Sequence, residues 1–410
     1  MKRSLAYLSR LGSGLGLMGL CACALPEASP EQPPPLVEAE LVEGYPALDQ
    51  ACVGPSATPS HLVVTSTDFH TGAVGLVDLA TLEVQPDLAQ ASSDAIPFVA
   101  EGRVFVVNRF GFDYIDELAP DEGLELVHQW PLMPTSSDDS ANPHTLFLGP
   151  TGRAWVTLHG AAELHGFRFP TLQAAKVEAE RAVNFSAFAD ADGIPELSFA
   201  LRCGEIAFIG AERIDRDAWA PLDDTLLIPL RLSDPAALFA FADESPAAIH
   251  LLGTGTGPWQ LDPEDPAGHT IVMLNSGLER IDLASGTSEW WVPEARFAEA
   301  GYGRLQLSGF DLDSHGRAWL TAASADFSSF ALLRIAGEGA EAELELFIED
   351  IQSVTGDLEI VDDIAYVADT TIGASGLRAF ALSEVEDKGV TELPQSPLAL
   401  GLPPMSIAPL

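Results

Sequence analysis

Apolar and polar positions along the chain repeat one pattern seven times: a turn residue is followed by a short strand in which apolar residues alternate. Such alternation, rich in Val, Ile, Phe, Trp and Leu, is typical of half-buried antiparallel strands. The repeated segments span residues 60–69, 102–110, 152–160, 204–213, 269–277, 316–324 and 363–371. The sequence therefore predicts seven equivalent strands.

The spacing of these segments predicts how the strands assemble. They recur about every fifty residues, a period with room for several short strands and typical of four-stranded blades arranged around an axis. We therefore predict an all-β fold, a seven-bladed β-propeller over residues 60–410.

The two ends of this region predict how the ring closes. Residues 60–69 have the character of a second strand, but no inner strand precedes them, whereas residues 401–408 have the character of an inner strand with no second strand after it. Pairing of the two would remove an open seam and its unpaired edge. We expect the C-terminal strand to complete blade one.

The first residues have the character of an export signal. Lys2, Arg3 and Arg10 form a basic start, and residues 11–20 are apolar and Gly-rich. This stretch is too short and too rich in Gly for a membrane span, and its order of regions is that of a signal peptide. We predict a signal peptide over residues 1–22.

The segment Leu20-Cys21-Ala22-Cys23 resembles the lipobox of bacterial lipoproteins. The resemblance implies that Cys23 is lipidated and that the protein is anchored to a membrane. Because Ala24 follows, it implies the outer membrane, with the protein facing the periplasm or the cell surface. An ordinary signal peptide cut nearby is the alternative.

Residues 23–59 are rich in Pro and Glu and have only patchy apolar content. Such a segment buries too little surface to offset the entropy of ordering it. We predict a disordered tether between the anchor and the propeller. Cys52 lies in this tether and Cys203 in the propeller, and in an oxidising compartment the two could form a disulfide or remain free thiols.

The charge of the chain restricts its partners. It has 61 acidic and 20 basic residues, a formal net charge of −41. Such a field repels phosphate backbones, so nucleic acid is not an expected partner. Acidic charge keeps a protein soluble, and attraction of calcium is the alternative explanation. We predict no other cofactor.

Two of the repeated strands resemble a known bacterial family. Val104-Phe105-Val106-Val107-Asn108 and Ala365-Tyr366-Val367-Ala368-Asp369 resemble the repeat of YVTN-type propellers, which are related in shape to NHL rings. The resemblance covers residues 60–410 through short motifs. It implies a binding or scaffold module, since only a few such propellers are enzymes, and shape alone does not transfer an activity. No quinone, haem or lactonase site residue can be matched.

The longest polar connections fall between second and third strands and between outer strands and the next inner strands. In a ring these connections lie on one face, which is the better candidate for binding. The candidate residues are Arg109, His144, His159, Asp190, Asp192, Arg213, Asp215, Trp219 and Trp259. Turn formation and capping of blade ends are the alternative roles for these side chains.

Two functions from different classes remain open. One is a lipid-anchored, non-enzymatic propeller of the cell envelope that binds a protein or glycan, with Trp219 and Trp259 as stacking surfaces. The other is a metal-dependent hydrolase or another enzyme that uses the channel mouth, with a base and ligands supplied by His144, His159, Asp190 and Asp192. The sequence has no motif that sets a nucleophile beside an oriented base, so we assign no catalytic residue.

Overall fold

A computed structural model describes most of the chain from Pro33 onwards. The described residues are 33–38, 40–54, 58–135, 140–150, 152–168, 177, 179–218, 220–222, 224–233, 237–240, 247–303, 305, 308–326, 328–353, 355–382 and 389–410. The predicted signal peptide, Cys23 and Trp219 lie outside them.

The described chain is almost entirely β-structure. Its strands are β1 Leu36–Val37, β2 Glu40–Glu43, β3 His61–Thr67, β4 Gly72–Asp78, β5 Val84–Ala91, β6 Ala95–Ala100, β7 Arg103–Asn108, β8 Tyr114–Ala119, β9 Glu125–Pro131, β10 Pro143–Gly149, β11 Arg153–Leu158, β12 Glu163–Arg168, β13 Ala179–Asn184, β14 Leu197–Cys203, β15 Ile206–Ala211, β16 Ile214–Asp215, β17 Ala220–Pro221, β18 Leu226–Arg231, β19 Ala237–Ala240, β20 Ile249–His250, β21 Trp259–Leu261, β22 Thr270–Leu274, β23 Leu278–Asp282, β24 Thr287–Val292, β25 Gly309–Leu312, β26 Ala318–Ala323, β27 Phe330–Ala336, β28 Glu343–Ile351, β29 Leu358–Val361, β30 Ile364–Asp369, β31 Gly376–Leu382, β32 Val390–Glu392 and β33 Pro404–Pro409.

Helical structure is confined to short connections. The helix α1 spans Glu294–Glu299, and 3-10 turns lie at Pro120–Glu122, Ser186–Phe188 and Gly339–Glu341. No described helix has both the length and the apolar character that crossing a bilayer requires.

The strands assemble into a seven-bladed propeller, as predicted. From the innermost to the outermost strand the blades are β33-β3-β4-β5, β6-β7-β8-β9, β10-β11-β12-β13, β14-β15-β18-β19, β21-β22-β23-β24, β25-β26-β27-β28 and β29-β30-β31-β32. Each of the seven segments singled out in the sequence contains the second strand of its blade. These second strands are buried on both faces, and not half-buried as expected, because each face packs against a different neighbouring blade.

The apolar core lies between the blades and not at the centre of the ring. The buried residues form seven apolar clusters within the described chain, and each cluster joins two neighbouring blades. Trp155 and Trp319, each 1% exposed, lie in the interfaces between blades three and four and between blades six and seven. A blade is therefore stable only between two neighbours.

The predicted closure is confirmed. The C-terminal strand β33 pairs antiparallel with β3, in a register that sets Ile407 opposite Val64 and Ala408 opposite Val63. Ile407 also packs in the cluster between blades seven and one. One strand therefore supplies both the inner edge of blade one and part of the last blade interface.

The structure corrects the expectation of a disordered tether for residues 33–54. Strand β1 pairs in parallel with β13, and β2 pairs in parallel with β19, so the segment adds a fifth strand to blades three and four. These outer strands otherwise present unpaired backbone groups, and pairing satisfies them. Low apolar content did not prevent order, because backbone hydrogen bonds hold this segment.

A disulfide holds the segment where it leaves the outer edge of the ring. Cys52 and Cys203 are bonded across a sequence separation of 151 residues. The Val53 N–H donates to the carbonyl of Arg202 at 2.8 Å, and Tyr45 donates to the carbonyl of Leu283 at 2.8 Å. The segment therefore runs from the outer edges of blades three and four to the inner strand of blade four and the end of the third strand of blade five.

Deletion of residues 401–410 is predicted to destabilise the whole ring, because it leaves β3 without its inner partner and opens the interface with blade seven. We expect the loss to exceed the about 2–5 kcal/mol of truncating one buried aliphatic side chain. Thermal unfolding measures this, with Gln395→Ala, an exposed change shortly before the strand, as the control. An unchanged melting temperature for the deletion would contradict this account of closure.

Candidate functional site

One face of the propeller gathers the polar loops, and we call it the loop face. It carries the connections from second to third strands and from each outer strand to the next inner strand, since strand direction alternates within a blade. In ring propellers the channel mouth lies at the centre of such a face. Residues just after a second strand, or at the start of an inner strand, lie beside this mouth.

Three successive blades place chemistry-bearing residues at one equivalent position. Arg109, His159 and Glu212 are each the first residue after the second strand, in blades two, three and four. Because the blades repeat the same geometry, these side chains lie next to one another around the mouth.

His144 completes this group from the inner strand of blade three. Its ring stacks on that of His159, with ring centres 4.3 Å apart and planes inclined by 16°. The His159 N–H donates to the carbonyl of Asn142 at 3.0 Å, which fixes the two segments side by side. Nε2 of His159 lies 3.7 Å from Oε2 of Glu212. The four residues Arg109, His144, His159 and Glu212 form the mouth cluster.

The environment of His144 keeps its imidazole neutral. Burial lowers its pKa well below 6.5, and the charges of His159 and Arg109 lower that pKa further. At neutral pH the ring therefore has a free lone pair and can accept a proton.

Arg109 is held in place with part of its guanidinium unused. Its Nη2 donates to Oδ1 of Asp94 at 2.6 Å. Its Nε is buried and has no hydrogen-bond partner among the described residues. The ion pair with Asp94 therefore fixes the guanidinium group at the edge of the mouth cluster.

Glu212 remains ionised although it is largely buried. Burial acts to raise its pKa, but hydrogen bonds from His159 and from neighbouring hydroxyl groups outweigh burial and lower it. One of these donors is Thr256, whose Oγ1 lies 2.9 Å from Oε1 of Glu212. The carboxylate is thus positioned to orient His159 and to balance a positive charge on it.

A second layer supports the cluster from behind. Arg216 donates from Nε to Oε1 of Glu196 at 2.7 Å and from Nη2 to the carbonyl of His159 at 2.9 Å. Glu196 is completely buried and also accepts the N–H of Ile214 at 3.0 Å. These contacts fix the backbone on which the imidazole of His159 stands. Asp192 lies 3.5 Å from the Nε of Arg216.

A cavity of about 290 Å³ opens beside this layer. It lies between the second-to-third connection of blade three and the loop that enters blade four. Its lining residues are Leu36, Gly160, Ala161, Ala162, Glu163, Asn184, Ser186, Asp192, Gly193 and Ile194. Of the candidates predicted from the sequence, Asp192 borders this cavity.

Three predicted candidates have structural roles that account for their contacts. Asp190 accepts the N–H of Asp192 within its own turn at 3.0 Å, and Asp215 caps a turn by accepting the N–H of Asp217 at 2.9 Å. Trp259 lies in the inner strand of blade five, with its ring edge-on to Phe199 at 5.9 Å. Trp259, which packs against Phe199, is therefore not part of the surroundings of Asp192.

Arg213 also lies outside the mouth cluster. It forms an ion pair with Asp224, whose other oxygen lies 2.7 Å from Nδ1 of His250. Of the described candidates, Arg109, His144 and His159 come together, and Asp192 joins their supporting layer through Arg216.

Glu196 and Glu212 are the site residues that the sequence analysis missed. Each directly adjoins a buried apolar strand, Glu212 after β15 and Glu196 before β14. The signal was available, because the first residue after each second strand belongs to the loop face. Comparing that position across the blades identifies Glu212 together with Arg109 and His159.

Metal binding was a further possibility for the loop face. Within the described parts of the chain, no three His, Cys, Asp or Glu side chains converge in a group that could hold a metal ion. The calcium association considered from the acidic composition stays a prediction.

Comparison with known proteins supports the fold. No family model matches the chain, and no curated protein matches it. Among solved structures, the chain is similar to a candidate 6-phosphogluconolactonase from Bacteroides fragilis, with a TM-score of 0.59, 14% identity and coverage of 87% of this chain and 99% of that one. It is also similar to the periplasmic gluconolactonase of Pseudomonas aeruginosa, with a TM-score of 0.56, 15% identity and coverage of 85% and 98%. At these identities the similarity shows a shared propeller fold.

Acidic side chains lie on the other side of the ring, at the inner strands of blades six and seven. Oδ2 of Asp311 accepts the N–H of Ile360 at 2.6 Å, which ties one inner strand to the next. Burial raises the pKa of Asp311 to about 7, and the charges of Asp357 and Asp313 add to this. Burial, and then the charges of Asp311 and Asp357, raise the pKa of Glu359 well above 4.5.

The effect of Asp311→Asn on the free energy of unfolding is predicted to change sign between acidic and alkaline pH. In the wild type the folded state binds the proton more tightly than the unfolded state, so unfolding free energy falls between about pH 4 and pH 7, by about 4 kcal/mol at most. Asn is always neutral but has one acceptor oxygen fewer, which costs about 1 kcal/mol. The variant should be less stable than the wild type at pH 3.5, where the wild-type carboxyl group is protonated in both states, and more stable at pH 8, measured by denaturant unfolding.

Asp326→Asn is the matched control for this test. Hydrogen bonds from Ser328, and then from Ser324, lower the pKa of this exposed carboxyl group. Its neutralisation should therefore reduce stability at pH 8. Parallel pH profiles for the wild type and Asp311→Asn would contradict the assignment of a buried, protonated carboxyl group at position 311.

Proposed function

We propose that this propeller is a hydrolase of small cyclic esters, with the mouth cluster as its active site and His144 as general base. The observation that carries the proposal is the neutral imidazole of His144, stacked on His159 and adjacent to Arg109. A base that is unprotonated at neutral pH, beside a cation, is the combination that attack of water on a carbonyl group needs.

The residues divide the reaction between them. His144 takes a proton from a water molecule as the water oxygen bonds to the carbonyl carbon of the lactone. The guanidinium charge of Arg109, held by Asp94, stabilises the negative charge that develops on the carbonyl oxygen. The ring C–O bond then breaks, and His144 returns the proton to the leaving alkoxide, which leaves a hydroxy acid.

His159 and Glu212 position the base. Stacking holds the plane of His144, and the carboxylate of Glu212 holds the ring of His159 against which it stacks. The contact of Arg216 with the carbonyl of His159 keeps this pair in place. This rigid support is what precise positioning of a catalytic group requires.

The comparisons suggest which esters to test first. Two structural neighbours have gluconolactonase in their names, and the shared fold gives this chain a channel mouth of the same general form. Sugar-acid lactones are therefore suitable first probes. Fold alone does not transfer an activity, so the proposal rests on the mouth cluster.

The binding function predicted from the sequence is separable from hydrolysis. A non-enzymatic module for an envelope protein or glycan would bind its partner without turnover. It stays a prediction, and the assay below distinguishes the two functions by product formation.

We also propose that the protein acts at the cell envelope, held by a lipidated Cys23 in the outer membrane. The basic start, the apolar stretch over residues 11–20 and the lipobox-like segment support this location. A lipoprotein cysteine with several acyl chains would keep the propeller at the membrane surface.

His144→Ala is predicted to lower kcat/KM for glucono-δ-lactone about 10²–10⁴-fold, because it removes the general base. Since the pKa of His144 lies well below 6.5, wild-type activity should hold from pH 8 to pH 6.5 and fall only at lower pH. A pH-stat assay, corrected for spontaneous hydrolysis, measures both quantities.

The control for this variant is His250→Ala, which changes an exposed histidine near the outer edge of blade four. It should retain wild-type activity. Equal activity of His144→Ala and the wild type on every lactone tested would overturn the assignment of the base.

Cys23→Ser is predicted to move the protein from the membrane fraction to the soluble fraction, because it removes the acyl acceptor. Metabolic labelling with an alkyne fatty acid, followed by fractionation, measures attachment and location together. Cys52→Ser is the control and should remain labelled. A wild-type protein without label would reject the anchor.

A further inference from the structure

The loop between the second and third strands of blade two exposes two aromatic side chains. Phe110 is 72% exposed and Phe112 is 48% exposed. Phe110 also has a left-handed backbone with φ of 52°, which is costly for a residue with a bulky side chain. Large apolar side chains held outward in this way are typical of a surface that contacts a ligand.

This loop is attached directly to the mouth cluster. Phe110 follows Arg109 in sequence, so one loop presents a cation towards the mouth and an aromatic ring to solvent. The N–H of Phe110 donates to Oδ1 of Asn142 at 3.1 Å, two residues before His144. The N–H of Gly111 donates to Oγ of Ser140 at 3.0 Å. The aromatic rings therefore have a fixed place beside the base.

The same feature recurs in the two preceding blades. Phe69, in the equivalent loop of blade one, is 68% exposed and has φ of 66°. Ile372, in the equivalent loop of blade seven, is fully exposed. We call Phe69, Phe110, Phe112 and Ile372 the apolar rim. It is continuous in blade order from blade seven to blade two, where it meets the mouth cluster.

The charged side chains close to the rim are already hydrogen-bonded within the protein, so they do not select a partner of opposite charge. Asp68 beside Phe69 accepts hydrogen bonds from the N–H groups of His70 and Thr71, and these lower its pKa. Arg109 is engaged by Asp94. The rim thus offers an apolar surface with the ionised Asp68 beside it, and the polar recognition occurs next to it in the mouth cluster.

We propose that the substrate is an amphipathic lactone, whose ring binds at the mouth cluster and whose alkyl tail lies on the apolar rim. The inference rests on the proposed function and adds the substrate class. A polar reacting group beside an apolar tail on one ligand matches Arg109 and the aromatic rings of one loop, which hydrogen bonds hold against the segment that precedes His144.

The proposal gives a dependence of rate on chain length. Each methylene that leaves water for an apolar surface improves binding about fourfold when it is fully covered. Between γ-butyrolactone and γ-octalactone, which share one ring, we therefore expect kcat/KM to rise at least about tenfold. γ-Octalactone and γ-dodecalactone both release a secondary alkoxide, so a further rise between these two reports the tail alone.

The test compares these lactones, and γ-dodecalactone, with the wild type and the double variant Phe110→Ser, Phe112→Ser. Leu126→Ser is the matched control, because Leu126 is 58% exposed in the same blade but lies on the outer strand β9. We expect the double variant to lose the chain-length dependence and to keep its rate on γ-butyrolactone, which also shows that it folds. Leu126→Ser should behave as the wild type.

A binding measurement separates the inference from the proposed function. The ketones cyclopentanone and 3-octylcyclopentanone have the same shapes as the lactones but no ester bond, and calorimetry measures their affinity. Tighter binding of the octyl compound that is lost in the double variant supports the rim. If such binding is seen but no lactone is hydrolysed, the hydrolase is rejected and the rim is kept. Hydrolysis at equal rates for all chain lengths rejects the rim and keeps the hydrolase. If the protein neither hydrolyses a lactone nor binds either ketone, both the hydrolase and the apolar rim are rejected.

Discussion

The pairing of β33 with β3 is the interaction on which the rest of the structure depends. Each apolar cluster is shared by two blades, so no blade has a complete core of its own. An open seam would expose the facing sides of blades one and seven together with an unpaired strand edge. Asp357 strengthens the seam by accepting the N–H of Ile407 at 2.7 Å and the hydroxyl of Ser406 at 2.8 Å.

A closed ring repeats one geometry, and the candidate site results from that repetition. The residue after the second strand is Arg109, His159 or Glu212 in three successive blades, whereas blades five to seven have Asn275, Ser324 and Thr370 there. Ionisable side chains are thus concentrated at one side of the mouth. The scaffold is common to all blades, and the identity of a few loop residues distinguishes one sector from the others.

Buried acids have a different role on the opposite side. Asp311 and Asp357 each accept a backbone N–H from the inner strand of the next blade, so they tie blades together around the channel. Burial raises the pKa of both groups, which opposes their ionisation. The carboxyl groups of Asp311 and Asp357 therefore hold neighbouring blades together, whereas His144, His159 and Glu212 form the mouth cluster.

Local pattern determined the architecture of this protein. Alternation of apolar residues is a property of each strand, so the seven second strands and the closing strand were evident without coordinates. Tertiary structure decided the rest. The order of residues 33–54 depends on strand edges supplied from far along the chain, and the stacking of His144 on His159 depends on the register between β10 and β11. Glu212 joins that pair because blades three and four are neighbours in the ring, which no local pattern records.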